Sequence, residues 1–432
     1  MRLMSTRLAL ALLLLTGLLA LLSFVMPPSI SDLNRARIEA RFVLSDVFLA
    51  EAYAGFSDCG DPLGRAVPEG SKTCLTNNAQ RLFEKLDELE ENLLQAVYND
   101  PKQHLSGKGP RHFFLPEVSW IHLVRSLYEP GYNPTPKGEA PAWILERVHA
   151  KQAGIDILSG RKKTYRRSLS LSGLTLVVLL LCIAGAIFWL RFKTLLAKQS
   201  NTLDPIPIEP IDVFGLIGFW LIFRVIWGGF VPLLAQGQAT ATLVYDYIPH
   251  TIVGLSLIVW AFRRTATRFI DIGLQNAPNL RGVGHWLVFS LIGLCLALPV
   301  MILMQVLVGM VVEAPDPNII LTMQVLDEGN GIILMLITLG IAPIFEEVLF
   351  RGVLFSSLKG KITTNASNII QASTFAALHF NPQGALSLFI LGWILGRIRE
   401  RTGSLIPVIL IHAGWNMLVL LFFSFRLGIS LG

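Results

Sequence analysis

The sequence is poor in charged residues. Asp, Glu, Lys and Arg make up 15% of the 432 residues, hydrophobic residues make up 53%, and the mean hydropathy is +0.56. A soluble globular chain carries about 25% charged residues, so this composition excludes an ordinary soluble protein. The net charge of +6 does not indicate a nucleic-acid partner, because much of the excess Lys and Arg borders apolar runs, where basic residues orient membrane helices.

Some loops between the apolar runs lack Lys and Arg altogether. These loops are 235–239, 313–330 and 381–383. The loops that alternate with them contain basic residues and lie at 191–212, 263–284, 358–363 and 399–404. Basic loops of membrane proteins face the cytoplasm. With two arginines before the first apolar run, the pattern predicts a cytoplasmic N-terminus and an external C-terminus.

Nine apolar runs are candidate transmembrane helices. Residues 1–26 contain the first, which is longer than the roughly 7–15 apolar residues of a signal peptide; we interpret it as an uncleaved anchor, with a cleaved signal as the alternative. The other runs lie at 168–190, 213–234, 240–262, 285–312, 331–357, 364–380, 384–398 and 405–424. The predicted fold class is an all-α polytopic membrane protein with about nine transmembrane helices. After the first helix, the remaining helices divide into two groups, one in residues 166–284 and one in residues 285–425.

Residues 27–165 are polar and rich in Pro and Gly. They are predicted to form a mostly helical extracytoplasmic domain between the first and second spans. Within it Leu86, Leu89 and Leu93 recur at three- and four-residue spacing, which is typical of an amphipathic helix.

The chain has only four cysteines, and their positions divide them into two pairs. Cys59 and Cys74 lie in the polar insert, where an oxidising compartment would join them in a disulfide worth about 3 kcal/mol. Two unrelated thiols are the alternative. Cys182 and Cys295 lie in apolar runs and are expected to stay reduced.

One apolar run, 331–357, contains three charged residues close together: Glu346, Glu347 and Arg351. An ionisable side chain at the centre of a membrane helix costs about 2.5–3.5 kcal/mol on insertion scales, so such residues mark functional sites by default. On a helix, Glu347 and Arg351 are four residues apart and are predicted to form an ion pair. Glu346 is rotated by about 100° from Glu347 and has no such helical partner.

Three further polar residues occupy neighbouring apolar runs: His379, His412 and Asn416. At about 1.5 Å of rise per residue, all three and Glu346 lie near the middle of the membrane, so we expect them to converge. Glu346 and His379 would deprotonate a water, and His412 and Asn416 would donate hydrogen bonds to an oxyanion. The same Glu and His side chains are also zinc-ligand types. A third interpretation is a set of polar contacts that holds the helices together.

The sequence contains four motifs in a fixed order: Ala342-Pro343-x-x-Glu346-Glu347-x-x-x-Arg351-Gly352, Phe375-x-x-x-His379, Thr402-Gly403-Ser404-Leu405 and His412-x-x-x-Asn416. Together they resemble the CPBP (Abi) intramembrane protease family, which includes the eukaryotic Ras-converting CAAX endoprotease and bacterial bacteriocin self-immunity proteins. The resemblance covers residues 285–425, the expected protease core. No cofactor is expected from it, although zinc is not excluded.

The resemblance also implies roles for the motif residues. Glu346 and His379 would activate the water, and His412 and Asn416 would form the oxyanion hole. Glu347 and Arg351 would be a structural ion pair.

Signatures of other intramembrane proteases are absent from the sequence. There is no His-Glu-x-x-His of a zinc protease, no Gly-x-Ser-Gly of a rhomboid and no Gly-x-Gly-Asp of a presenilin-like enzyme. The expected function is an intramembrane endopeptidase of a bacterial inner (plasma) membrane that cleaves a membrane-associated or exported protein. An ion-coupled transporter that uses the Glu and His residues as a proton relay, and a non-catalytic immunity or scaffold protein, are the alternatives.

Overall fold

The computed structural model describes residues 205–274, 283–309, 317–381 and 384–427, and shorter pieces of the chain before residue 188. Every regular element in this part of the chain is a helix, and none is a strand. The all-α prediction is therefore confirmed for the described residues. The helices from residue 210 onward are α1 Pro210–Ala235, α2 Ala239–Thr265, α3 Val283–Gly309, α4 Pro317–Asp327, α5 Gly331–Lys359, α6 Thr364–Ala377, α7 Ala385–Thr402 and α8 Ile406–Leu427.

Four helices in the described part are long and apolar enough to cross a membrane: α1, α2, α5 and residues Ile406–Phe425 of α8. Two shorter apolar stretches, Ser172–Gly185 and Ser290–Met304, lie in predicted spans as well. Large side chains such as Leu233, Ile226 and Phe219 are exposed on α1, as expected of a helix whose outer face meets lipid. The chain is therefore a membrane protein, and the number of nine transmembrane helices stays a prediction.

The predicted outer loop 313–330 contains a short helix, α4, at Pro317–Asp327. The helix begins at a proline, which is favoured in the first turn because that position needs no backbone N–H donor. Just after α4, the Glu328 carboxylate accepts hydrogen bonds from the backbone N–H groups of Ala239 and Thr240, at 2.7 and 2.8 Å, and thereby caps α2.

Helix α5 is interrupted twice by π-helical turns. These turns, Leu336–Ile341 and Val348–Leu354, flank the short α-helical segment Ala342–Glu347. Single π turns within α-helices occur frequently at functional sites. Pro343 lies in the first turn of the central segment, where it supplies no N–H to the preceding turn.

Two glycines illustrate the close packing between helices. A Cβ on Gly396 of α7 would meet Asn368 Oδ1 of α6 at 1.8 Å, and one on Gly254 of α2 would meet the Phe345 ring of α5 at 2.5 Å. Any residue larger than glycine would clash with its neighbour at either position. Because of these glycines, α6 and α7 approach closely, and α2 lies directly against the segment that carries the glutamates.

The Thr402-Gly403-Ser404-Leu405 motif is the turn between α7 and α8. Gly403 ends α7 with a φ of 69°, a left-handed conformation that favours glycine. Ser404 Oγ accepts a hydrogen bond from the N–H of Ile406, the first residue of α8, at 3.2 Å. The motif thus stops one helix and starts the next.

The chain divides into two compact units. The first contains residues 1–29 and 177–420, and the second contains residues 30–176 and 421–431. In the second unit Leu86, Leu89 and Leu93 are buried, as expected for the inner face of an amphipathic helix.

Cys59 and Cys74 lie outside the described residues, so their disulfide stays a prediction. Cys182 and Cys295 are described, and both are free cysteines.

Candidate active site

Glu346 lies at the centre of three helical elements. Its Oε2 atom is 3.6 Å from His379 Nε2 and 3.8 Å from His412 Nε2. His379 directly follows the last turn of α6, and His412 lies on α8. These distances exceed hydrogen-bonding range, and Glu346 Oε2 is a buried atom without a hydrogen-bond partner in the described protein. A water between these atoms can donate two hydrogen bonds, one to Glu346 Oε2 and one to an imidazole Nε2.

Hydrogen bonds on the far side of each ring orient the two histidines. His379 Nδ1 is 2.7 Å from the carbonyl oxygen of Phe375, and His412 Nδ1 is 2.8 Å from Glu347 Oε1. Both partners are acceptors, so each Nδ1 must carry the proton. We therefore assign both rings a protonated Nδ1, with Nε2 directed at Glu346.

Glu347 is the acceptor for two cationic or protonated groups. Arg351 Nη1 donates to Glu347 Oε1 at 2.7 Å, at the four-residue spacing expected on a helix. Both side chains are fully buried. The bond from His412 to the same oxygen had no signal in the sequence, because it joins residues 65 positions apart. Glu347 therefore links the ion pair to the catalytic candidates.

The Phe375 ring contacts the arginine and both histidines. The Arg351 guanidinium lies over this ring, 4.3 Å from its centroid. The rings of His379 and His412 pack edge-on to the same ring, with centroid distances of 4.5 and 5.9 Å. Phe375 is completely buried. It thus fixes both imidazoles while its π face stabilises the buried cation.

Asn416 contacts a different part of α5 from Glu346. Its Nδ2 donates to the carbonyl oxygen of Thr338 at 2.7 Å. The preceding π turn explains why this carbonyl is available: Ala342 N–H bonds to Ile337 O, and Pro343, next in register, has no N–H. Within the described residues, Asn416 makes no hydrogen bond to Glu346 or to either histidine.

Tyr247 of α2 is a site residue that the motif analysis missed. Its hydroxyl donates to Glu346 Oε1 at 3.2 Å. A tyrosine in an apolar helix carries no special spacing, so nothing in the sequence distinguished it. Arg224 of α1 also lies near the site: its Nη1 is 3.5 Å from the carbonyl oxygen of Leu378, next to His379.

The zinc alternative depends on Glu346, His379 and His412. Within the described ranges, no three His, Cys, Asp or Glu side chains are grouped closely enough to hold a metal ion. The two imidazole Nε2 atoms and the carboxylate are nevertheless donors of the right chemical type.

Comparison with known proteins gives one match. Residues 328–418 match the family model of the type II CAAX prenyl endopeptidase, Rce1-like. No curated protein and no solved structure matches the chain significantly. The matched segment contains all six motif residues discussed above, whereas Tyr247 and Arg224 lie outside it. Residues 328–418 therefore form a domain of the Rce1-like CAAX endopeptidase family, which is a family of proteases.

Proposed function

We propose that the protein is an intramembrane endopeptidase in which Glu346 is the general base. The observation that carries this proposal is the unpartnered Glu346 Oε2 facing two imidazole Nε2 atoms within a helix bundle. A carboxylate so placed can hold a water and take its proton as the water oxygen attacks a peptide carbonyl. His379 Nε2, which carries no proton, accepts a hydrogen bond from the same water, and the proton held by Glu346 passes to the leaving amine as the peptide C–N bond breaks.

The charge of the buried cluster supports this arrangement. Glu346 and Glu347 contribute two negative charges and Arg351 one positive charge. A single proton on one imidazole makes the group neutral, which favours it in a low-dielectric interior. Because Glu347 accepts a hydrogen bond from His412 Nδ1, the extra proton is best placed on His412. Its Nε2–H can then donate to the oxyanion of the tetrahedral intermediate.

Asn416 is the second oxyanion donor in this proposal. Its amide nitrogen carries two N–H groups, and the bond to Thr338 O uses one of them. The other is free to donate. The fixed amide orientation then serves catalysis, because a donor held in advance does not have to reorganise as the charge develops.

The substrate in this proposal is a membrane-associated or exported protein. The reaction would take place within the bundle, in the plane of the bilayer. An ion-coupled transporter and a non-catalytic immunity or scaffold protein make different predictions, because neither releases new peptide termini.

The test is cleavage of a peptide library by the purified protein in detergent, read by mass spectrometry. Wild type is expected to release defined fragments, and Glu346→Gln is expected to release none while keeping its melting temperature. Glu400→Gln, at the surface end of α7 and paired with Arg397 at 3.1 Å, is the matched control. Equal cleavage by Glu346→Gln would disprove the proposal.

Zinc dependence is tested in the same assay. We expect full activity after dialysis against a chelator, because the sequence has no His-Glu-x-x-His motif and two of the four polar side chains serve as oxyanion donors in this proposal. Activity lost to the chelator and restored by one equivalent of zinc would favour the zinc enzyme instead.

A further inference from the structure

Helix α2 contributes a residue to the site although it lies outside the matched domain of residues 328–418. We propose that Tyr247 is a positioning residue: its hydroxyl holds Glu346 Oε1 so that Oε2 faces the two histidines. This inference rests on the proposed function, since it concerns how the general base is aimed. It assigns a part in the reaction to the helices that precede the protease domain.

The two oxygens of Glu346 have different environments. Oε1 accepts the Tyr247 hydroxyl at 3.2 Å, and Oε2 lies 3.6 and 3.8 Å from the two imidazole Nε2 atoms. The last torsion of a glutamate side chain is broad and only weakly restricted by sterics. Without a donor at Oε1, the carboxylate is free to rotate and would lose its alignment with the water.

Tyr247 is itself held in place by an aromatic group. Its ring packs on the buried ring of His250 at 4.9 Å, and His250 Nδ1 lies 2.6 Å from the carbonyl oxygen of Asp246. Trp220 of α1 donates from Nε1 to the carbonyl oxygen of His250 at 2.9 Å.

The same aromatic group packs against the residue before the general base. Trp220 lies 5.6 Å, and His250 6.4 Å, from the ring of Phe345. Aromatic side chains of α1 and α2 thus contact α5 immediately beside Glu346. These aromatic contacts hold the phenol of Tyr247 in place, and they also hold the backbone of α5 next to Glu346, the residue that Tyr247 orients.

A phenol suits this position because of its chemistry. Tyrosine is neutral at working pH, with an ordinary pKa of about 10, so it donates a proton in a hydrogen bond without competing for the proton of the water. A hydrogen bond to a carboxylate also favours its charged form, which is the form that acts as a base. The other charged or titratable groups around Glu346 are Arg224 on α1, Asp246 and His250 on α2, Glu347 and Arg351 on α5, His379 after α6 and His412 on α8.

The test compares Tyr247→Phe with wild type in the peptide assay. The ring is retained and only the hydroxyl is lost, so the fold is expected to persist. We expect kcat to fall by about tenfold to a hundredfold, the size of a hydrogen bond to a charged group, with little change in KM. The acid limb of the pH profile should move to higher pH, because the charged carboxylate has lost a donor.

Tyr245→Phe is the matched control. Tyr245 lies two residues earlier on α2 and is 40% exposed, so its variant should keep the kcat and the pH profile of wild type. Wild-type kcat and an unmoved acid limb in Tyr247→Phe, with Glu346→Gln inactive, would overturn the positioning role and leave the proposed function intact. Activity in Glu346→Gln would overturn both. A lower melting temperature in Tyr247→Phe with no change in the pH profile would show that the role is structural only.

Discussion

At the scale of single residues, two adjacent glutamates have different tasks. Glu346 has one oxygen directed at the histidines, whereas Glu347 is fully buried between Arg351 and His412. The sequence separated them by helix geometry alone. The structure adds a hydrogen bond from His412 Nδ1 to Glu347, so under the proposed function the loss of Glu347 would affect catalysis as well as stability.

The Glu347 variant separates these effects. Glu347→Gln leaves Arg351 as an uncompensated buried charge, and breaking a buried pair in this way costs about 3–5 kcal/mol. We expect a lower melting temperature in detergent and weak activity. The double variant Glu347→Gln with Arg351→Met should recover much of the melting temperature, since no unpaired charge remains.

Activity should not recover in that double variant, because His412 Nδ1 no longer faces a carboxylate. Glu346→Gln should show the opposite pattern, with a stable fold and no turnover. If Glu346→Gln were the unstable variant and Glu347→Gln the stable and inactive one, the two roles would have to be exchanged.

At the scale of the elements, α5 depends on a side chain from α8. Pro343 leaves the Thr338 carbonyl without a backbone donor, and Asn416 supplies the missing hydrogen bond across 78 residues of sequence. Pro343 and Asn416 therefore form one structural unit. Their coupling is measurable.

A double-mutant cycle tests this coupling. Asn416→Ala should destabilise the protein by about 1–3 kcal/mol, the cost of an unsatisfied buried polar group. In a Pro343→Ala background the new backbone N–H can bond to the Thr338 carbonyl, so the same change should cost less. Unfolding free energies of the four proteins in detergent give the coupling, and strictly additive effects would contradict it.

The cap on α2 gives a pH-dependent prediction. Partial burial acts to raise the pKa of Glu328, but hydrogen bonds from the side chain and backbone of Thr240 and from the backbone of Ala239 outweigh it and lower the pKa. Because the pKa of Glu328 is lower in the folded protein, its carboxylate stabilises the fold at pH values above its pKa in the unfolded chain, which is about 4.3. This stabilisation is lost as the pH falls through the pKa of the folded protein. We expect Glu328→Gln to lower the melting temperature at pH 7 and to have little effect at the lowest accessible pH. An equal effect at both pH values would contradict this assignment.

At the scale of the whole molecule, lipid replaces water around the bundle. Apolar side chains on the outer faces of α1, α2 and α5, such as Leu233, Ile252 and Leu336, are exposed in the structure. In water they would form an aggregation-prone surface. The hydrophobic effect therefore places the helices in the membrane, while the buried polar residues determine which faces meet inside it.

Topology is the prediction at this scale. We expect residues 27–165 to lie outside the cytoplasm, because the loops that would face outward lack Lys and Arg. A cysteine introduced as Gly107→Cys should react with a membrane-impermeant reagent in whole cells. In the same domain, Cys59 and Cys74 should be recovered as a disulfide by non-reducing mass spectrometry. Protection of the introduced cysteine, together with free thiols at Cys59 and Cys74, would place the domain in the cytoplasm.

The sequence by itself determined the features that depend on neighbours along one helix. Apolar runs predicted the positions of most helices, and the four-residue spacing predicted that Glu347 would meet Arg351, because residues on successive turns of a helix face each other wherever that helix lies. It also singled out Glu346, His379 and His412, since ionisable groups in apolar runs are rare. The exception among the elements was α4, where a short helix in a polar loop left little periodicity to detect.

Only the tertiary structure decided which of these groups touch. The contacts of Glu347 with His412, of Asn416 with Thr338 O and of Glu346 with Tyr247 join residues 65, 78 and 99 positions apart. Their geometry depends on how α2, α5 and α8 rotate and slide against one another. Close-packing glycines, a proline that removes one N–H and the satisfaction of buried polar groups fix that rotation, and no spacing within a single helix encodes it.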